Sequence, residues 1–208
     1  MSNFLFLFFK NFHTFFISWF IKVLLSIKGI KVGKNFRADS FPKLILENSN
    51  FIIGDNVVFF GEIEIRILKS SSLKISNNCK IDDKVRIIST NNAKIEINDL
   101  TSIGKGTVIN GGTDIYLGKN CLISGYVYLQ SSSHGYEINQ FIREQNHTYK
   151  KIEISNDVWI GAHSFISMGT IVKNGGIIGA NSFVKKNTLI NENEIFAGTP
   201  AKLKSNRK

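Results

Sequence analysis

A six-residue period runs through most of this chain. Stepping by six from Ile154 lands on Ile160, Ile166, Val172, Ile178, Val184, Ile190 and Phe196, all apolar. Upstream the same step links Ile53, Phe59 and Ile65, then Ile75, Ile81 and Ile87, then Ile97, Ile103 and Ile109, then Leu117, Ile123 and Leu129. A short offset separates each trio from the next. The fourth residue after a stop is usually small or β-branched, as at Val57, Val85, Thr101, Thr107, Val127, Ser164, Thr170, Ser182 and Thr188. Gly54, Gly104, Gly118, Gly161 and Gly179 directly follow a stop, and Asn, Asp and Gly crowd the positions after it. Those residue types tolerate the left-handed backbone angles of tight corners. Each hexad therefore predicts a short strand and a corner. Three hexads close a triangle filled by aliphatic side chains, and stacked coils pair as parallel strands about 4.8 Å apart. One coil cannot bury its own faces, so the array is cooperative.

The repeat also places both cysteines. Cys79 and Cys121 occupy the small position after Ile75 and Leu117. They form neither a disulfide framework nor a zinc pattern, and read as small core residues of a protein in a reducing cytoplasm. The net charge of +10 favours acidic partners such as phosphates or anionic lipid. Nucleic acid is not expected: no binding motif is present, and Tyr and Phe do not interleave with Arg as in a base-stacking surface.

Residues 4–27 are rich in phenylalanine. Polar residues recur at Lys10, Asn11, Thr14, Ser18, Lys22 and Ser26, close to a helical period, and Gly29 is a plausible stop. A basic start and a small-residue cleavage site, the marks of a signal peptide, are both missing. Three readings stay open for this amphipathic helix: lying in a membrane interface, packing on the protein itself, or crossing the membrane, with Lys10, Asn11, His13 and Lys22 against crossing. His13 reads as a polar-face residue rather than a ligand.

The rhythm fails between Leu129 and Ile154. Long insertions in a solenoid project as loops, and such loops often carry function. This one holds His134, Tyr136, Glu137, Arg143, His147 and Tyr149. His134 follows the third hexad of its coil at a corner. It reads equally as a base that takes and returns a hydroxyl proton or as an ordinary loop histidine. A second signal is a column of tiny residues, Gly161-Ala162, Gly179-Ala180 and Ala197-Gly198, recurring every eighteen residues. It predicts either a smooth groove for an extended ligand or simply corners that need small residues. Lys185, Lys186 and Lys202 lie in the same terminal coils and read as phosphate contacts or a solvated tail.

These residues resemble the hexapeptide-repeat acyltransferases, in particular the sugar and polysaccharide O-acetyltransferase branch (galactoside and maltose acetyltransferase-like). The likeness spans roughly residues 50–203. It is most specific at Val158-Trp159-Ile160-Gly161-Ala162, at Gly179–Lys186 and at Ala197-Gly198-Thr199-Pro200-Ala201-Lys202. The resemblance implies an all-β, left-handed parallel β-helix. It implies His134 as general base for direct transfer from acetyl-CoA to a sugar hydroxyl, with no metal required. Gly161, Ala162, Gly179 and Ala180 would line the pantetheine arm, with Lys185, Lys186 and Lys202 near the nucleotide phosphates. It also implies a homotrimer with sites between subunits. Departures are Met168–Lys173 where the pattern has Pro-Gly-Val-x-Ile-Gly, Asn187 where Asp is common, Gly104 at the offset of the acceptor-binding Asn, and a hydrophobic helix in place of a polar N-terminal domain.

The expected organisation is an N-terminal amphipathic helix over 1–30, a left-handed β-helix over 31–190 with a 130–153 active-site loop, and a basic tail over 191–208 closing the CoA site. The expected function is acetylation of a bacterial surface glycan or its precursor, at the inner face of the cytoplasmic membrane if the helix binds lipid. Glu137 is a candidate to orient His134. Alternatives are N-acetylation of an amino-sugar nucleotide, a zinc enzyme using His134, His147 and His163, and a non-enzymatic scaffold.

Overall fold

The computed structural model describes residues 2–208, with side chains from Thr14 onward, so His13 lies outside the described side chains. Short strands form three sheets of eight, nine and seven members, which are the three faces of a left-handed β-solenoid of about 8 turns. The six-residue stops stack in register up these faces. Ile53, Ile75, Ile97, Leu117, Ile154, Val172 and Ile190 align on the first face. Phe59, Ile81, Ile103, Ile123, Ile160, Ile178 and Phe196 align on the second. Ile65, Ile87, Ile109, Leu129, Ile166 and Val184 align on the third. Every one of these except the partly buried Phe196 is buried. Each trio in the sequence is thus one turn.

The offsets between trios have a physical origin. In the early turns the strands flanking one corner, such as Glu64–Ile67 and Ser72–Ile75, are four residues long. They add a second inward row, including Ile67, Leu73, Ile95, Ile115 and Ile152, all buried. Small core-facing hydroxyls bond carbonyls across the stack, as from Thr101 Oγ1 to Gly118 O (2.7 Å) and Thr107 Oγ1 to Ser124 O (2.9 Å). Cys79 and Cys121 are buried in the same rows, and their thiols lie 3.1 Å from Asn98 O and 3.0 Å from Ser155 O. Asn residues at positive φ, among them Asn56, Asn78, Asn120 and Asn181, turn the corners. The second face continues past residue 190 through Glu194–Ala197, and Lys202–Asn206 folds back antiparallel on it.

The one α-helix among the described residues, α1 (Ser2–Ile27), covers the first turn. Ser18 and Lys22, two members of its polar stripe, face that first turn. The end of a parallel β-helix leaves backbone groups unpaired, a liability that proteins often cover with a helix. Ser18 Oγ accepts from Ala38 N at 2.9 Å, and Lys22 Nζ donates to Gly33 O at 2.7 Å. Ile21 and Leu25, on the same side, enter the core. The aromatic side is turned outward: Phe15, Phe16, Trp19, Phe20 and Ile27 are exposed. Among the described residues no helix is long and apolar enough to cross a membrane.

Candidate active site

The interruption leaves the third face after Tyr128–Gln130. It rises as an antiparallel ribbon in which Ser132, Ser133 and His134 pair with Tyr149, Thr148 and His147. Gly112 makes room for the ribbon base. A β-carbon there would come within 2.9 Å of Ser132 Cβ and 3.0 Å of the Tyr149 ring. Asn91 Nδ2 donates to Tyr149 Oη at 3.4 Å and ties the ribbon to the turn below. Beyond the ribbon, Gln145 organises the tip. Its Nε2 donates to the carbonyls of Glu137 (2.8 Å) and Gln140 (2.9 Å), and its Oε1 accepts from Glu137 N (2.7 Å).

His134 sits at the wall of a cavity of about 710 Å³ between this loop and the third face. Phe165, Phe183, Ser167 and Met168 form the floor, Gln130 and Ser132 to Tyr136 one side, and Lys185 and Lys186 another. The floor continues a ring stack: Tyr128 on Phe165 (5.4 Å) and Phe165 on Phe183 (5.7 Å). Lys186 Nζ lies 6.0 Å from the Tyr136 ring and links loop to terminal turns. A proton acceptor, a pair of cations and flat apolar surface therefore share one concavity. That combination suits an anionic ligand with an extended apolar arm and a hydroxyl or amine to be deprotonated.

The side chain against His134 is that of His147, and among the described residues no hydrogen bond joins His134 to Glu137. His147 Nε2 lies 2.9 Å from His134 Nδ1, with the rings edge to face at 81°. His163 is elsewhere: it turns a corner at positive φ and stacks on Tyr126 at 5.0 Å. The three histidines considered for zinc do not converge. Among the described residues no group of three His, Cys, Asp or Glu side chains is placed to hold a metal.

The tiny-residue column stands on the corner that leads into the third face and does not line the His134 cavity. The needs of the stack account for part of it. A β-carbon on Gly161 would reach 2.4 Å from Ala180 N, and one on Gly179 would reach 2.9 Å from Ala197 Cβ. Ala162 and Ala180 are joined through Asn181 N to Ala162 O at 2.8 Å. Lys202 is exposed on the final antiparallel strand, away from the cavity lining. Of the residues singled out from the sequence, the structure thus brings His134, Lys185 and Lys186 together. His147 as partner of His134 was missed. The signal was available only in the pairing of the ribbon, because a sequence separation across a loop does not reveal register.

No family model matches the chain. It is 28% identical over 159 residues to the Probable acetyltransferase Rv3034c of Mycobacterium tuberculosis, covering 75% of this chain and 52% of that protein, so the chain spans about half the length of its curated relative. Among solved structures it resembles AntD, an N-acyltransferase from Bacillus cereus, in complex with dTDP-4-amino-4,6-dideoxyglucose and Coenzyme A. That likeness has TM-score 0.65 at 22% identity, over 90% of this chain and 89% of AntD. It also resembles the polySia specific acetyltransferase NeuO, with TM-score 0.59 at 25% identity over 85% of this chain and 79% of NeuO. The chain therefore carries the left-handed β-helix fold of the hexapeptide-repeat acyltransferases.

Proposed function

We propose that this protein is an acetyl-CoA-dependent O-acetyltransferase that acts on a sugar hydroxyl of a bacterial surface glycan or its precursor. The observation that carries the reading is the placement of His134 on one cavity with Lys185 and Lys186. The two ammonium groups suit the phosphates of CoA, and the apolar floor suits a pantetheine arm. Acetyl-CoA supplies the acetyl group as a thioester. His134 accepts the acceptor's hydroxyl proton as the oxygen bonds the carbonyl carbon, then returns it to the departing sulfur, leaving an acetyl ester and free CoA. The relatives add direction: NeuO is a polySia specific acetyltransferase, and the curated relative is a probable acetyltransferase. Incubation with acetyl-CoA and candidate acceptors tests the reading. Acetyl ester on a glycan supports it, preference for an amino-sugar nucleotide replaces it with N-acetylation, and no consumption of acetyl-CoA contradicts it.

The working form is a homotrimer in which a neighbouring subunit closes the cavity over Phe165 and Phe183. The tiny column Gly161, Ala162, Gly179 and Ala180, with Lys202, belongs to the CoA path along that seam. The outer face of α1 rests on an anionic membrane. Ser18 and Lys22 bond the first turn, and Phe15, Phe16, Trp19 and Ile27 lie outward. Exposed Lys28, Lys31, Lys34, Arg37 and Lys43 follow α1 closely in the chain, with Asp39 the sole carboxylate between residues 14 and 46. Aromatic rings with flanking cations suit the lipid headgroup boundary. These features support a working position at the inner face of the cytoplasmic membrane, beside lipid-linked acceptors.

A further inference from the structure

We infer that His147 is the positioning residue for His134, holding it in the one tautomer that can act as a base. The inference rests on the acyl-transfer reading for the direction in which the shared proton lies; the contact itself is a property of the free protein. The ribbon dictates the contact. Backbone bonds at Lys150 N to Ser131 O (3.1 Å) and Gly135 N to Asn146 O (3.1 Å) set the alternation of the ladder. His134 and His147 then face each other at a position without backbone bonds, where opposing side chains approach most closely. Gln145 locks the chain just beyond this pair, and Gly135 is needed there because a β-carbon would reach 2.8 Å from Gln145 Oε1. Tyr149, 6.0 Å from the His147 ring, backs it from the next position.

The contact joins His134 Nδ1 to His147 Nε2 at 2.9 Å. Between two neutral imidazoles only one of these nitrogens carries the shared proton. If His147 donates, the proton of His134 sits on Nε2, and no lone pair is left for the acceptor hydroxyl. If His134 donates from Nδ1, its Nε2 is free to take a proton, and His147 stabilises the imidazolium that forms. A neutral histidine thereby fills the orienting role that a carboxylate plays in a Ser-His-Asp triad. No proton needs to leave His134 through His147 in this scheme. The proton taken at Nε2 is the one returned to the leaving sulfur.

Two substitutions separate acceptance from packing. His147→Phe keeps a ring but removes the acceptor, whereas His147→Gln keeps an acceptor oxygen without the ring. Nitrogen-15 NMR of the histidine side chains in the full-length protein, without ligand, reads the tautomer directly. His134 is expected as Nδ1–H in the wild type and in His147→Gln, and as Nε2–H in His147→Phe. In acetyl transfer, His147→Phe should lower kcat on the order of 10–100-fold with KM for acetyl-CoA little changed, and His147→Gln should recover most of it. An Nε2–H tautomer of His134 in the wild type overturns the inference, as does His147→Phe turning over at the wild-type rate. Absence of any transferase activity with the expected tautomers would count against the functional reading and leave the pairing intact.

Discussion

At the residue scale, chemistry and packing divide cleanly. Cys79 and Cys121 belong to packing. Burial pushes the Cys79 thiol up to about 11 and raises that of Cys121 as well, so the reactive thiolate is suppressed in both. Iodoacetamide at about pH 8 is expected to label neither in the native protein and both after denaturation; fast native labelling would remove them from the core. Lys185 and Lys186 line the cavity, and on the proposed function Lys185→Ala or Lys186→Ala should weaken CoA binding about tenfold by titration calorimetry. The inward rows were legible in the sequence because a six-residue step leaves one stop per face. That His134 lies at the wall of a cavity was legible through its place at the break in that step. Its partner was not, since register across the ribbon is fixed by Gly112, Gln145 and Asn91, which carry no periodic signature.

At the element scale, the contacts of α1 match one of the readings its pattern left open, packing on the protein itself. Its polar spacing at Thr14, Ser18 and Lys22 is real, and taken alone it suggests a wet face. The structure turns Ser18 and Lys22 inward because the first turn offers unpaired backbone at Ala38 and Gly33. Hydrophobic periodicity reports amphipathicity and not which partner is the more polar. Ser18→Val should leave the buried Ala38 N–H without an acceptor, at a cost of about 1–3 kcal/mol in chemical denaturation. An unchanged midpoint would mean that the helix does not cap the solenoid. Corner carboxylates act similarly. Asp99 accepts from Asn77 N at 3.0 Å and lies 3.3 Å from Lys119 Nζ. Its carboxyl is held below the usual range chiefly by that backbone bond. The stability it adds is full above its ordinary pKa of 3.8 and is lost as pH falls through the lower folded value. Acid unfolding of Asp99→Asn should accordingly be less steep.

At the scale of the whole molecule, the outward aromatic band and the half-open cavity are surfaces a lone chain leaves uncovered. If α1 meets lipid, Trp19 fluorescence in the full chain should shift to the blue with phosphatidylglycerol vesicles and not with phosphatidylcholine, and the double variant Phe16→Ser, Trp19→Ser should no longer sediment with them. A change of oligomeric state in that variant, without loss of vesicle binding, would instead assign the band to a second copy of the chain. Light scattering should give about 70 kDa for a trimer of the 23.4 kDa chain. Deleting α1 is a poor test of either point, because Ile21 and Leu25 are part of the core.

The most direct test is transfer of isotope-labelled acetyl from acetyl-CoA to a glycan acceptor by the wild type and His134→Ala. The wild type should label an acceptor hydroxyl, and His134→Ala should do so about 10²–10⁴-fold more slowly while binding CoA with unchanged affinity. Labelling by His134→Ala at the wild-type rate would contradict the assignment of His134 as the base.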